Sequence, residues 1–532
     1  MKNLLFLALS VQLASAAIIV QKRVSKNKTE FISARLIDKK ISERVELKNI
    51  RESIIEKIVT PEIQYIEEMI PNDQASVEVL ELAHAKSFTP EIAGSEVREI
   101  IKQGPDSNRI ILTVLGDGYT MAEKEKYFQD VERMVDDLFR EVTFKSYLPV
   151  FNIYAVFVPS KESGITDLVR KDTAFDLYRS PKGSKRGIMP GNRTKIDQAL
   201  DLVPTYTDYP IIIANDDFYG GLGGRYAITT RSLNSGSMVL RHELGHNFSN
   251  VGEEYDGGQV YSGANFSSSK DVPWKHWQKS ETTEVHRAKF LTGAYVWQDL
   301  HKDDFKDSFN FPNSDDYFFS LKLSSVGWEN ADDVHVYLDG KQLELDGVYT
   351  EDRSFFYTKN TDLSQGNHTI EVKDHSRDGN NVLAYANGYA YPKSYNFDAG
   401  VIGAFNVFDS SGRERGFRPS HDDCLMRDMR SKVFCPVDQE NIWFKFFKRI
   451  NLIENIEETN DQFKINLFKL GQIKVKWFKK SFWGATEELT HLDNKLSVDK
   501  KELKKGKYTV KAYLSHPEIK KEKIITEREI KI

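Results

Sequence analysis

The sequence predicts an α/β domain interrupted by an inserted β-sandwich and followed by a second, immunoglobulin-like β-sandwich. Three observations carry this. Apolar runs at 109–115, 151–158 and 210–214 alternate with helix-like segments, the pattern of a sheet covered by helices. From about residue 289 that pattern gives way to short strand-like runs separated by Asp-Gly and Gln-Gly-Asn turns, as in a sheet-on-sheet unit. Alternation returns beyond residue 451, at 473–478, 507–514 and 524–532. A chain of 532 residues has room for roughly three to four domains.

Composition narrows the function classes. With 40% hydrophobic and 29% charged residues the chain is globular rather than disordered. A net charge of -5 argues against a dedicated nucleic-acid binder, which needs a basic face. Two cysteines exclude a disulfide scaffold and any four-cysteine metal centre.

The elements follow in order. Lys2, an apolar run at 4–13 and the small-x-small triplet Ala14-Ser15-Ala16 read as a signal peptide over 1–16, cut after Ala16. An ordinary buried strand is the alternative. No later run is long enough to span a bilayer and the charged residues 527–532 make no lipid-anchor signal. The protein is therefore expected to be secreted and extracellular, with no membrane span. Five sequons, at Asn27, Asn192, Asn247, Asn265 and Asn367, would make it a glycoprotein in a eukaryotic source; Asn247 lies in the motif below and is expected to be too buried. In an oxidising compartment Cys424 and Cys435 are expected to pair as a disulfide, two buried thiols being the alternative.

Residues 17–103 are rich in Glu, Lys and Ile and read as an N-terminal, propeptide-like region. Gly104-Pro105 opens the catalytic domain, whose first part runs over 104–290. After the strand at 109–115, Thr120 and Glu123 form a capping box, and Val131, Met134, Val135 and Leu138 supply the apolar face of the helix that follows. The inserted β-sandwich spans 291–395, the second part of the catalytic domain 396–450, and the C-terminal β-sandwich 451–532.

Chemistry concentrates at 237–258, SMVLRHELGHNFSNVGEEYDGG. His242 and His246 stand four apart, on one helical face, so both reach one ion. Glu243 follows the first histidine and is placed to take a proton from a zinc-activated water. Leu240, Leu244 and Phe248 pack the opposite face, Ser237 offers an N-cap and Gly252 a stop. A catalytic zinc needs a third protein ligand. Glu254 is the favoured candidate and Glu253 the second; a solvated acidic turn is the alternative for the cluster. Gly220 to Gly224 lacks both phosphate-binding spacings; it reads as a substrate-pairing edge strand or a plain loop. Tyr255 reads as a packed tyrosine, with donation to a tetrahedral oxyanion as the alternative, and His421 as an auxiliary polar group; neither is assigned a role.

The stretch HELGHNFSNVGEEYDGG resembles the active-site signature of the IgA peptidase family of zinc metallopeptidases (metallopeptidase family 64). Similar likenesses hold for NRIILTVLGDGYT at 108–120, YGGLGGRYA at 219–227, RPSHDDCLMR at 418–427 and FCPVDQE at 434–440. The resemblance implies a zincin-like, metzincin-like catalytic domain with a methionine turn at Met426 beneath one zinc ion, and a protein or peptide substrate. It departs from metzincins proper: their third ligand falls six residues after the second histidine, here Gly252, which cannot ligate. The expected function is a secreted zinc-dependent endopeptidase. A secreted glycan- or protein-binding module with a structural zinc, and an amidase of non-peptide substrates, are the other classes.

Overall fold

The computed structural model of the chain describes residues 15–25, 28–38, 63–71, 92–180, 186–257, 262–294, 296–313, 315–376, 378–480 and 486–532. Residues 1–14 of the expected signal peptide, and Asn27, lie outside these. The described chain is mostly strand, arranged in several separate sheets, with few helices. None of its helices is long and apolar enough to cross a membrane. At the N-terminus β1 (Ser15–Ser25) pairs antiparallel with β2 (Lys28–Asp38) and with β3 (Ile63–Pro71).

The sheet that positions the site has the order β8-β9-β7-β5-β6-β4. Its strands are β4 (Glu96–Lys102), β5 (Ile110–Asp117), β6 (Phe151–Phe157), β7 (Tyr209–Ala214), β8 (Gly221–Leu222) and β9 (Ala227–Thr230). The inner strands β6, β5, β7 and β9 are parallel; β4 and β8 run antiparallel at the two edges. Every residue of β5, β6 and β7 is buried, as for strands covered on both faces. The period-two alternation assigns the side chains to two cores. Ile110, Leu112 and Val114 face one way, against Val131, Met134 and Val135 of α1 (Lys124–Val135) and Leu240, Leu244 and Phe248 of the helix bearing the histidines. Ile111, Leu115 and Val156 face the other way, against Ile196, Ala199 and Leu200 of α2 (Arg193–Leu200). Each such fully buried aliphatic contributes about 1.5–3 kcal/mol. The capping box of Thr120 and Glu123 is formed as the spacing predicts.

The helix bearing the histidines is α3 (Gly236–Phe248). It opens two residues earlier than the Ser237 cap predicts: Ser235 is the cap residue, and it makes no side-chain capping bond. Its hydroxyl donates instead to Asp352 Oδ2 at 2.6 Å, and Ser232 donates to the same oxygen. A buried carboxylate from the insertion thus sits at the positive end of the helix. At the other end α3 stops at Phe248, before Gly252. There Lys445 Nζ donates to the carbonyls of Asn247 and Ser249, at 2.8 and 2.9 Å, satisfying groups a helix C-terminus leaves unpaired.

The insertion consists of two sheets packed on a shared core of Phe309, Leu321, Val336, Phe356, Ile370 and Leu383. Its Val326 also packs on Val239 of α3 and on Tyr219. The C-terminal strands form a three-stranded and a four-stranded sheet. They share one continuous core with the α/β sheet, running from Ile110 through Trp443 and Phe446 to Val510. Polar bonds stitch the same boundary. Arg109 pairs with Glu454. Trp443 Nε1 donates to Glu518 at 2.7 Å, and the backbone N–H groups of Lys520 and Lys521 donate to Glu440.

Candidate active site

The site grows from α3. His242 is buried and His246 half-buried on the same face, their rings 5.0 Å apart and nearly perpendicular. The i, i+4 spacing alone brings both Nε2 atoms to one point. Gly245 between them is required by close approach: a Cβ there would lie 2.8 Å from Met426 Sδ and 2.8 Å from the Phe434 ring. Met426 is fully buried beneath this turn of the helix.

The chain leaves α3 and folds back through 251–256. His246 Nδ1 lies 3.1 Å from the carbonyl of Val251. A carbonyl only accepts, so Nδ1 carries the proton and Nε2 is directed away from the backbone. Glu253 then reaches both rings: its Oε1 is 3.1 Å from His246 Nε2 and its Oε2 is 3.1 Å from His242 Nε2. Burial pushes both imidazoles down, but the charge and hydrogen bonds of Glu253 overrule it, and His246 rises to about 9. Burial likewise raises Glu253, and the two histidines outweigh it, holding the carboxyl well below the usual range. Two imidazole nitrogens and one carboxylate oxygen lie within 4.8 Å of one another. This donor chemistry fits three of the four positions of a tetrahedral catalytic zinc site.

The expectation for Glu254 is corrected here. Glu254 points the other way and is fully buried, its Oε1 accepting from Asn265 Nδ2 at 2.9 Å. Its backbone N–H donates to Met426 O at 3.1 Å and its carbonyl accepts from Arg427 Nη1. These bonds fix the direction of the turn, so adjacent side chains project to opposite sides and Glu253 takes the place beside the histidines. Asn265, read as a sequon, is 1% exposed and engaged on both Gly252 and Glu254; in this fold it offers no acceptor site for a glycan. The disulfide is corrected too. Cys424 and Cys435 are free, buried thiols. Cys424 Sγ donates to Asp438 Oδ2 at 3.1 Å and accepts from the backbone N–H of Cys435 at 3.3 Å, so the sulfur is directed to these partners.

Glu243 projects from α3 beside the glycine-rich stretch: a Cβ on Gly223 would lie 2.0 Å from its Oε2. Gly221 and Leu222 form the antiparallel edge strand, and Gly221 is also bridged on its outer side by Gly187. The Tyr255 ring lies 6.5 Å from that of His242. His421 is not brought to the histidine pair; it is buried among Tyr391, Tyr395, Phe397 and Phe405.

Sequence reasoning gave no role to Asp256, Arg427, Lys445 or Asp352. Arg427 and Asp256 pair at 2.8 Å while almost fully buried, and Asp256 also accepts from Tyr389 and from the Phe408 N–H. This clamp holds the segment that delivers Glu253. Asp256 stood in the acidic cluster and Arg427 directly after Met426, but their partners are far away in sequence.

Two imidazoles on one helix, a carboxylate from the turn that follows it and a second carboxylate on the same helix thus lie together. Residues 98–318 match the IgA Peptidase M64 family. The matched segment includes α3, Glu243 and Glu253. It ends within the insertion, so 418–440, with Met426, lies beyond it. No curated protein matches the chain. Among solved structures, a β-D-glucuronidase of Dictyoglomus thermophilum aligns at 11% identity and a TM-score of 0.14, over 47% of this chain and 44% of its own. The CBM51-2 and INT domains of Clostridium perfringens ZmpB, in complex with GlcNAc, align at 9% identity and a TM-score of 0.13, over 47% of this chain and 80% of theirs. The chain thus spans less than half of the first of these structures. At such scores neither likeness bears on the site.

Proposed function

We propose that the protein is an exported, zinc-dependent endopeptidase with a zincin-like catalytic domain. The observation that carries this reading is the convergence of His242, His246 and Glu253 within 4.8 Å, with Glu243 one residue along the same helix. These three residues would hold the ion. When bound, such a cation supplies Lewis acidity, lowering the pKa of water and polarising a carbonyl.

The chain's own residues supply the rest. Glu243 accepts the proton of the attacking water and returns it to the leaving amine. Gly223 leaves room for that carboxylate. The Val251 carbonyl fixes the His246 tautomer. Met426 and Gly245 set the height of the helix above the turn that follows the insertion. Tyr255 is placed on the His242 side and is the candidate to donate to the developing oxyanion. Leu222 ends the edge strand beyond the Gly187 bridge, and the backbone there and at Gly223 is placed to meet an extended substrate. Export is read from the N-terminal residues, and an immunoglobulin-like character from the three-stranded and four-stranded C-terminal sheets.

The test is cleavage of a denatured protein mixture by the purified chain, with new termini read by mass spectrometry. Cleavage should stop with a zinc chelator, return on adding zinc, and be absent from Glu243→Gln despite a normal metal content. Undiminished cleavage by Glu243→Gln would refute the assigned base. Chelator-resistant cleavage would refute the metal.

A further inference from the structure

A second group of donors lies beneath the candidate active site. Cys424, Cys435, Asp438 and Glu254 are all buried, and one ligand atom from each lies within 4.8 Å of the others. Three separate pieces of chain deliver them. Glu254 follows α3. Cys424 precedes Met426 by two residues. Cys435 is the N-cap of α4 (Pro436–Phe446), and Asp438 stands in the first turn of that helix.

Two oxygens in this group are orphans. Glu254 Oε2 and Asp438 Oδ1 are buried and have no hydrogen-bond partner, on side chains 1% and 0% exposed. A buried carboxylate oxygen without a donor is costly, and here two lie in one cluster with two sulfurs. The orphans face a mixed thiol and carboxylate set with the count of a closed, four-ligand structural zinc site. Zinc bonds of about 2.0–2.3 Å give tetrahedral edges of roughly 3.3–3.8 Å, so the four donors close on an ion with adjustments of about an ångström. Cys435 stands at the N-terminus of α4, but burial still pushes its thiol up to about 12, so a bound cation must displace that proton. The surplus negative charge has a counterpart in the buried guanidiniums of Arg427 and Arg418, both within electrostatic reach of Glu254.

We propose that Glu254, Cys424, Cys435 and Asp438 form a second, structural metal site for a zinc-class divalent cation. Loading it releases the protons of the two thiols to solvent and ties the turn after α3, the methionine segment and the N-terminus of α4 to one point. Because Glu254 is the neighbour of Glu253, the site would hold the third ligand of the candidate active site in place without touching substrate.

The experiment is metal analysis of the full chain together with cobalt(II) substitution. Wild-type protein should carry two metal equivalents. Cys424→Ser/Cys435→Ser should carry one, and His242→Ala/His246→Ala should carry one. Cobalt-loaded wild type should show thiolate-to-metal charge-transfer absorption in the near ultraviolet, kept in the histidine variant and lost in the cysteine variant. The wild-type spectrum needs no substitution, so it decides the matter even if a variant fails to fold. A cobalt-loaded wild type without that band would overturn the proposal, as would a Cys424–Cys435 disulfide in the unreduced protein. Loss of metal from the histidine variant alone, with the sulfur band intact, separates this site from the catalytic reading.

Discussion

Gly223→Ala tests the catalytic geometry through a residue that does no chemistry. A Cβ at this position would stand 2.0 Å from Glu243 Oε2 and 3.0 Å from its Cδ. Ordinary contact begins near 3.4 Å, so the carboxylate must retreat by about 1.4 Å. It is the free end of a flexible side chain, and the retreat strains little else. Misplacing a reacting group by about 1 Å costs on the order of 100-fold in rate, within the 10²–10⁴-fold that a general base contributes. Stability should hold or rise slightly, since Gly→Ala where the backbone permits it contributes about 0.4–1 kcal/mol through the unfolded chain. The assay is kcat/KM on a peptide substrate, with metal content and Tm measured on the same preparation. A drop of about 100-fold with zinc and Tm unchanged is the expected result. Wild-type kcat/KM would show that Glu243 does not work from this position. A loss that tracks zinc or Tm would show that the glycine matters for folding instead.

Two further outcomes follow from the structure. Glu253→Gln should lower the chelator concentration for half-inactivation by at least about 100-fold, and by more than Glu254→Gln, which acts only through the position of Glu253; the reverse order would reinstate Glu254 as the ligand. His421 is held at about 4 by burial, against an ordinary 6.5, although Asp422 pulls the other way. Between those values the unfolded chain binds a proton that the folded chain refuses, so stability is full above pH 6.5 and falls toward pH 4. The gap of about 2.5 corresponds to about 3 kcal/mol. The Tm of His421→Gln should therefore depend less on pH over that window than that of wild type, and equal slopes would contradict the assignment.

What was legible in the sequence is what short-range chemistry dictates. Continuous apolar runs placed β5, β6 and β7 almost to the residue, because both faces of each strand are buried. The helical face of Leu240, Leu244 and Phe248 and the histidine pair follow from one period. The choice between Glu253 and Glu254 was not legible. One residue of phase after a helix end reverses a side chain, and here the phase is set by Met426, Arg427 and Asn265 from distant segments. The cysteine pair misled for a similar reason: the expected compartment suggested a bond, whereas Asp438 and the start of α4 decide where the sulfurs point. The true cap of α3 was hidden because its acceptor, Asp352, comes from the insertion.

The continuous core shared by the α/β sheet and the C-terminal strands has a consequence for biosynthesis. α4 supports α3 through Phe446 on Phe248, ring centroids 5.3 Å apart, and through Lys445 on its last carbonyls. The other side of α4 rests on His516 and Glu518 by way of Trp443. A chain emerging from the ribosome N-terminus first therefore has its histidine pair long before it has the floor that steadies them. On the proposed reading, tight metal binding would be acquired only once His516 and Glu518 have joined the fold behind α4.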